Sequence, residues 1–380
     1  MQVVLIAPFL MRFRLCANTF GGEVGRALRE AVTAAVPGFS PQADGPDSPL
    51  LFDYHMSTGG SRLSGKRTVG TVDLEGAGLL WCRFEPSGYC YVMQTVEVPD
   101  KEEMHRRERE LVERVNPHIA RWTESVSEHM LATGLVDPVE GAEMDPGRLL
   151  WWHRVLMDPP RGQEPGATRV YGVERQIHDD AYVRFGDGFT TLVRLPRHRI
   201  NEVLEGVMAA TSEWIAVDEA NRLVSARMLG LNDTRWNRVA DVDRQFTASL
   251  KLSKDLALRD MVRLEESRYT VNAGAVVVDA AMERWAMDRE RGVLEVQLQS
   301  LRDILDFHRN MTQYRRDERR NRLLFVFTAI ALFQSVLVWY DFAHESNNTL
   351  GPAERLAVVS AIAVLTVVVV VSSLAARRRE

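Results

Sequence analysis

The chain has 380 residues, of which 47 are basic and 52 are acidic, so its formal net charge is −5. This balance excludes a globally basic surface of the kind that binds nucleic acid, and no nucleic-acid partner is expected. The three cysteines fit a reducing compartment. No Cys-x-x-Cys pair or Cys/His ligand set is present, so neither a metal centre nor a cofactor is predicted.

The first 196 residues predict an α+β domain. A helix is expected over Gly22–Val36, where apolar residues repeat at helical spacing before Pro37 and Gly38. Short apolar runs bounded by turn residues predict eight strands. They are Val3–Ala7, Thr68–Leu74, Leu79–Phe84, Tyr89–Val98, Leu149–Met157, Arg169–Glu174, Ala181–Phe185 and Phe189–Leu195.

Two cysteines flank the expected turn between the third and fourth of these strands. Pairing Phe84 with Tyr89 sets Cys90 opposite Arg83. The thiols of Cys82 and Cys90 are therefore expected on opposite faces of the sheet, and no disulfide is predicted.

A charged segment that begins at Asp100 predicts a long helix with one apolar face. Pro117 lies inside the segment and is expected to kink or divide the helix. The charges predict a solvated face rather than a binding site. The residues at helical spacing are Met104, Leu111, Val115, Ile119, Trp122 and Val126.

Residues 197–322 predict a helical stalk, because proline is absent between Pro196 and Pro352 and helix-forming residues dominate. A continuous helix is expected from Asp279 into the apolar region that follows. Two series step by four and three, as in coiled-coil seams, and are out of register across Gly292. They are Val271, Ala275, Val278, Met282 and Trp285, and Leu294, Leu298, Leu301, Leu305 and His308. The second seam either joins copies of the chain or packs on residues 201–261 of the same chain.

Two uncharged apolar runs, Leu323–Tyr340 and Leu356–Ala376, are each long enough to cross a hydrocarbon core of about 30 Å as a helix. Trp339 and Tyr340 suit the headgroup level at the end of the first run. Residues 323–376 therefore predict a two-helix transmembrane hairpin. The alternative, a buried helical hairpin of a soluble core, explains the apolarity but not the arginine clusters at both outer ends.

Charges around the hairpin predict its orientation. The arginines at the membrane edge are Arg315, Arg316, Arg319, Arg320, Arg322, Arg377, Arg378 and Arg379. The intervening loop contains Asp341, Glu345 and Glu354 but no Lys or Arg over residues 341–354. By the positive-inside rule, both termini are cytoplasmic, the domain of residues 1–196 is cytosolic, residues 377–380 form a basic cytoplasmic tail, and the protein is a multi-pass protein of the inner (plasma) membrane. The loop acids either form cation-concentrating rings in an oligomer or are ordinary outside residues.

The first apolar run carries a stripe of polar and small residues. Asn321, Thr328 and Ser335 are seven residues apart, and Ala331 lies between the last two. Polar groups in lipid require a partner or water. The stripe either lines a pore in an oligomer or packs against the second transmembrane helix.

This organisation resembles the CorA-type metal transporter superfamily: an α/β domain, then a long helix continuous with the first of two C-terminal transmembrane helices, and both termini in the cytoplasm. In that family a Gly-Met-Asn motif closes the first transmembrane helix. Here the corresponding residues are Trp339, Tyr340, Asp341 and Phe342, so no family site residue is carried over. The resemblance implies a homo-oligomer, pentameric in that family, with a ligand-gated pore. Divergent two-helix members also resemble effectors of bacterial defence systems.

Three functions are consistent with the sequence. The first is an oligomeric channel or transporter-type protein in which a small molecule or protein triggers the cytosolic domain. The others are a membrane-perturbing effector of a signalling or defence system, and a membrane-anchored scaffold or enzyme. No catalytic residues are predicted, and the channel or transporter function implies no enzymatic activity. A phosphate-binding turn at residues 19–25 and a cation cluster of Glu174, His178, Asp179 and Asp180 are weaker alternatives.

Overall fold

The computed structural model describes residues 1–15, 21–42, 67–139, 146–159, 172–178, 180–231, 241, 243–254, 257, 273–344, 351–354, 356–358, 360–361 and 364. The chain divides into two compact units. The sheet unit comprises Met1–Arg235 and Ala240–Leu305, and the C-terminal unit comprises Trp236–Val239 and Asp306–Glu380.

The sheet unit is built on a sheet of nine strands in the order β3-β4-β5-β6-β1-β8-β11-β10-β9, and β2 pairs separately with β7. The strands are β1 (Gln2–Leu10), β2 (Phe13–Leu15), β3 (Ser40–Pro41), β4 (Thr68–Leu74), β5 (Gly78–Phe84), β6 (Tyr89–Glu97), β7 (Val136–Pro138), β8 (His153–Met157), β9 (Gly172–His178), β10 (Ala181–Gly186) and β11 (Phe189–Val193). Six of the eight predicted strands are confirmed, with small differences at their ends. The strand predicted at Leu149–Met157 is confirmed from His153 onward, and the one predicted at Arg169–Glu174 overlaps β9 at residues 172–174, while residues 169–171 lie outside the described part. Strands β2, β3 and β7 were not predicted, because two or three residues do not establish an alternating pattern.

The central strand, β1, is antiparallel to both of its neighbours, β6 and β8. Its residues are buried on both faces. Val3, Leu5, Ala7 and Phe9 belong to one core and Val4 and Ile6 to the other. This explains why β1 reads as a continuous apolar run rather than as an alternating one.

Helices cover both faces of the sheet. In chain order, the described helices include α1 (Gly21–Ala35), α2 (Lys101–Ala132), α3 (Arg197–Gly230), α4 (Ala273–Arg284) and α5 (Met287–His344), of which the first four cover the sheet. Helices α1 and α2 cover the first core, and α3 and α4 cover the second. The sheet unit therefore has three layers, with the sheet in the middle.

Helix α2 confirms the predicted amphipathic pattern, since all six residues predicted at helical spacing are buried. Asp100 caps its N-terminus by accepting a hydrogen bond from the backbone N of Glu103 at 2.9 Å. The helix continues through Pro117 and is not divided there. The Asn116 side chain accepts a hydrogen bond from the backbone N of Leu149 at 2.9 Å, which ties this part of α2 to the segment before β8.

Helices α3 and α4 cross in direct backbone contact. A Cβ atom placed on Gly206 would lie 2.4 Å from the carbonyl oxygen of Gly274, so only glycine fits at the crossing. The buried residues of α4 are Ala273, Gly274, Val277, Ala280 and Ala281. They are offset from the predicted seam at Ala275, Val278 and Met282, because α4 packs on α3 and on β9 and β10.

The continuous helix predicted from Asp279 is wrong at one point. Residues 285 and 286 form a turn between α4 and α5, and Ala286 has a φ of 49°. A left-handed residue ends the α-helical hydrogen-bonding pattern there. From Met287 the prediction is confirmed, because α5 is one helix that includes Leu323–Tyr340.

The predicted register of the β5–β6 hairpin is wrong by one residue. Arg83 pairs with Tyr91 and Cys82 with Val92. Gly88 has a φ of 85° and its N–H donates to the carbonyl of Glu85, which adds one residue to the loop. As a result, Cys82 and Cys90 lie in the same core rather than on opposite faces. Both are buried free thiols whose pKa is raised by burial.

The C-terminal unit contains α5 from Asp306 onward. The second predicted span, 356–376, lies mostly outside the described residues. Within it, residues 356–358, 360, 361 and 364 are helical.

Candidate functional site

Helix α5 is, by length and composition, the one helix among the described residues that could cross a membrane. No part of its most apolar stretch is buried within the chain. Phe325, Phe327 and Phe333 are each about two-thirds exposed. A large apolar surface of this kind is unfavourable in water and matches a lipid or a protein partner.

The predicted polar stripe lies on the exposed part of α5. The hydroxyl of Thr328 donates to the carbonyl of Leu324 at 2.8 Å, and the hydroxyl of Ser335 donates to that of Ala331 at the same distance. Both hydroxyl protons are therefore used within the helix. Their oxygens keep lone pairs that can accept from water or coordinate a cation.

The arginines that precede the apolar stretch of α5 are exposed. They are Arg315, Arg316, Arg319, Arg320 and Arg322. Arg322 donates to Glu318 at 2.5 Å within the helix. Arg377, Arg378 and Arg379 lie outside the described residues.

The predicted outer acids have different environments. Asp341 is exposed near the end of α5, and Glu345 lies outside the described residues. The Glu354 carboxylate accepts a hydrogen bond from the backbone N of Gly351 at 3.0 Å, as in the caps that begin helices. Glu354 therefore has a local structural partner.

A buried group of charges joins the sheet to α3. The Arg83 guanidinium contacts Glu205 at 2.5 Å and Glu85 at 2.5 Å, and Arg67 contacts Glu205 at 3.0 Å. Arg83 is 1 % exposed. Burial acts to raise the pKa of the Glu205 carboxyl, but Arg83 and Arg67 outweigh it, so the pKa is lowered. Glu205 is thereby held as a carboxylate.

Tyr91 belongs to the same group. Its hydroxyl donates to the backbone carbonyl of Met208 on α3 at 2.8 Å and is also within hydrogen-bond distance of Ser212. Burial, together with the nearby Glu85 carboxylate, raises the pKa of Tyr91, so the phenol remains protonated.

A second buried anchor holds α3 further along. Arg14 donates to Glu219 at 3.0 Å and lies over the ring of Tyr89 at 5.0 Å from its centroid. The Tyr89 hydroxyl donates to the same carboxylate at 3.1 Å. Burial acts to lower the pKa of Arg14, but Glu219 outweighs it and the pKa is raised. Two sets of buried charges therefore fix the position of α3 on the sheet.

The first turns of α5 are attached to α3 within the sheet unit. Met287 is fully buried, and Arg291 forms an ion pair with Glu213 of α3. Helix α4, just before α5, is held by ion pairs of Glu283 with Arg175 and of Arg284 with Asp187. The start of α5 is thus connected directly to α3, and the helix before it, α4, is connected to the sheet.

The two weaker site candidates lie partly outside the described residues. Glu174 pairs with Arg184 at 2.8 Å and Asp180 pairs with Arg194 at 3.0 Å, while Asp179 lies outside the described residues. No group of three or more potential metal ligands is found among the residues that the structure describes. In the segment 19–25, α1 begins at Gly21, and residues 19 and 20 lie outside the described part.

The buried ion pairs were missed at the level of sequence. One signal was present: Arg83 interrupts the apolar run of β5, and Glu205 lies among the apolar residues Val203, Leu204 and Val207 of α3. A charge inside an apolar pattern predicts a buried partner of opposite charge. The partner itself could not be predicted, because 122 residues separate Arg83 from Glu205.

No protein-family model matches this chain, and no curated protein matches it either.

Proposed function

We propose that this protein is the subunit of an oligomeric ion channel or transporter-type protein of CorA-like architecture. Its sheet unit senses a small molecule or a protein, and its helices transmit the change to a pore. The observation that supports this proposal is α5, one helix that is anchored to α3 near its start and later carries an exposed apolar stretch with a polar stripe.

The proposal places the protein in the inner membrane as a two-helix hairpin. Residues 323–340 and 356–376 are the spans, and both termini are cytoplasmic. Exposed arginines before the first span and Arg377–Arg379 after the second support this orientation. Membrane lipid is the first partner, and a second is another copy of the chain, because a single hairpin cannot enclose water.

The pore is lined by Asn321, Thr328, Ala331 and Ser335. The hydroxyl oxygens of Thr328 and Ser335 supply the acceptors that replace part of the hydration shell of a cation. Ala331, which lies between them, adds only a small side chain to the pore lining. In the outer loop, Asp341 and Glu345 raise the local cation concentration.

The sensing step acts through α3. A ligand that shifts α3 on the sheet must rearrange the Arg83–Glu205 and Arg14–Glu219 pairs. Because Glu213 of α3 holds Arg291 of α5, such a shift reaches the start of α5 directly. Buried ion pairs suit this role, since they favour discrete arrangements over gradual deformation.

Reconstituted vesicles test the proposal. The chain with Thr328→Leu and Ser335→Leu should release potassium or magnesium at least ten-fold more slowly than the wild type, because two bulky apolar side chains close the lining. The matched control, Ile330→Leu with Leu337→Ile, changes side chains on another face of the same helix and should release ions at the wild-type rate.

Two results would contradict the pore. One is equal ion release by the double leucine variant and the wild type. The other is the absence of ion release by the wild-type chain when the cytosolic fraction of its source is added to supply the trigger. That result would favour the membrane-anchored scaffold or enzyme. Release only after such a trigger, without selectivity among ions, would instead favour the membrane-perturbing effector.

A further inference from the structure

Helix α5 carries two apolar faces before Arg315. Part of one face is already buried within a single chain. Leu301 and Leu305 are each 1 % exposed in a single chain. They belong to the seam with Leu294 and Leu298, for which the sequence left open an intersubunit or an intrachain role. Burial within one chain is what the intrachain role predicts, so Leu301 and Leu305 are not available to bind a second copy.

The second face is exposed. Phe307, Met311 and Tyr314 are 61 %, 39 % and 68 % exposed. They follow one another in steps of four and three, which places them on one stripe of the helix. Three large apolar side chains exposed within little more than two turns mark an interaction surface rather than a solvated helix face.

The same face continues into the membrane segment. Steps of seven from Phe307 and Tyr314 reach Asn321, Thr328 and Ser335. The companion series is Met311, Glu318, Phe325, Leu332 and Trp339. Because α5 is one helix over this whole range, a left-handed supercoil keeps both series on a single seam. At the one acidic position of that seam, Glu318 is paired with Arg322 of its own helix.

Charges beside the seam select the partner and its direction. Asn310 and Asp317 flank the seam on one side, and Arg315 and Arg322 flank it on the other. In a parallel pair of helices, Asn310 and Asp317 of one helix each face the residue five positions later in the sequence of the other helix. Asp317 then meets Arg322, and Asn310 meets Arg315. In an antiparallel pair the two arginine flanks would face each other and repel.

We propose that Phe307, Met311 and Tyr314 bind the same face of a second copy of this chain in a parallel, in-register coiled coil. This coiled coil sets Asn321, Thr328 and Ser335 of neighbouring copies toward one axis. The inference rests on the proposed function and adds to it the surface that assembles the pore. Without the second copy, the polar stripe faces lipid and encloses nothing.

Cysteine cross-linking of the full chain in native membranes tests this face. Met311→Cys and Tyr314→Cys should each form disulfide-linked homodimers on mild oxidation, because a parallel in-register seam places identical residues side by side. Arg309→Cys, on the outer side of the same helix, is the matched control and should give at least ten-fold less dimer. The wild-type chain, with its three native cysteines, gives the background.

Each outcome decides between the possibilities. Equal cross-linking at 309, 311 and 314, cross-linking at only one of the seam positions, or a product with a different protein would overturn the proposed face. Stripe-dependent ion release without cross-linking at 311 or 314 would overturn the face and leave the channel intact. Cross-linking at both positions without any ion release would support the face and contradict the channel.

Discussion

At the scale of single residues, Glu205 determines how α3 is held on the sheet, because its carboxylate accepts from both Arg83 and Arg67. Among the described residues, Glu205→Gln leaves the buried Arg83 with Glu85 as its remaining ion-pair partner. We expect a loss of about 3 kcal/mol in unfolding free energy, the usual cost of breaking a buried pair from one side. Urea unfolding of the detergent-solubilised chain, followed by tryptophan fluorescence, measures this loss.

The control for that measurement is Glu174→Gln. Glu174 is about half exposed and pairs with Arg184 at the surface, and surface pairs contribute little to stability. Equal losses for the two substitutions would show that the buried pairs do not hold α3.

His153 predicts a dependence of stability on pH. Burial, with Arg154 nearby, lowers the pKa of His153 to about 3, and its ring is within 2.8 Å of the Thr190 hydroxyl. An unfolded histidine has a pKa of about 6.5, so between these values the unfolded chain binds a proton that the folded chain does not. His153 therefore reduces stability progressively as the pH falls below about 6.5, by at most about 1.4 kcal/mol per pH unit.

His153→Gln removes this titration and keeps a hydrogen-bonding side chain. The slope of unfolding free energy against pH between about 4 and 6 should therefore be smaller in the variant than in the wild type. Urea titrations at intervals of half a pH unit give both slopes, and identical slopes would rule out a buried neutral His153.

At the scale of elements, the contact between α3 and α4 depends on Gly206. Gly206→Ala places a methyl group against the backbone of Gly274, which cannot move aside as a flexible side chain can. We expect destabilisation by about 2 kcal/mol, within the range for overpacked sites. Gly292→Ala on α5 is the control, because nothing lies within 4 Å of its added Cβ and alanine favours the helix. Thermal unfolding of both variants compares them, and a neutral Gly206→Ala would contradict the close crossing.

The elements themselves were largely predictable, because their patterns are local. The strand Thr68–Leu74 and the buried face of α2 follow from apolar spacing alone. The β5–β6 register was not predictable in the same way, since it depends on the conformation of one residue, Gly88. The break at Ala286 has no signal in residue type either, because alanine favours helices.

At the scale of the whole molecule, the sequence predicts that helices follow the strands, but not which surface they cover. Helices α3 and α4 pack on the second face of the sheet, so that face is not solvated. The sequence does not show whether one or both faces of each strand are buried. Val4 and Ile6 indicate a second apolar face only when β1 is known to be the central strand. The polar stripe and arginines of α5 were predictable, because they are properties of one continuous helix.

The proposed functions all depend on the crossing of the membrane by residues 323–340 and the return of the chain through residues 356–376. Two reporters measure this directly, one inserted at Asn347 and one fused after Glu380, each active on a single known side of the membrane. We predict that the reporter at Asn347 is active only outside and that the one after Glu380 is active only in the cytoplasm, because the arginines lie at the two outer ends of the hairpin. Both reporters on the same side, or the Glu380 reporter outside, would contradict the hairpin and with it the pore.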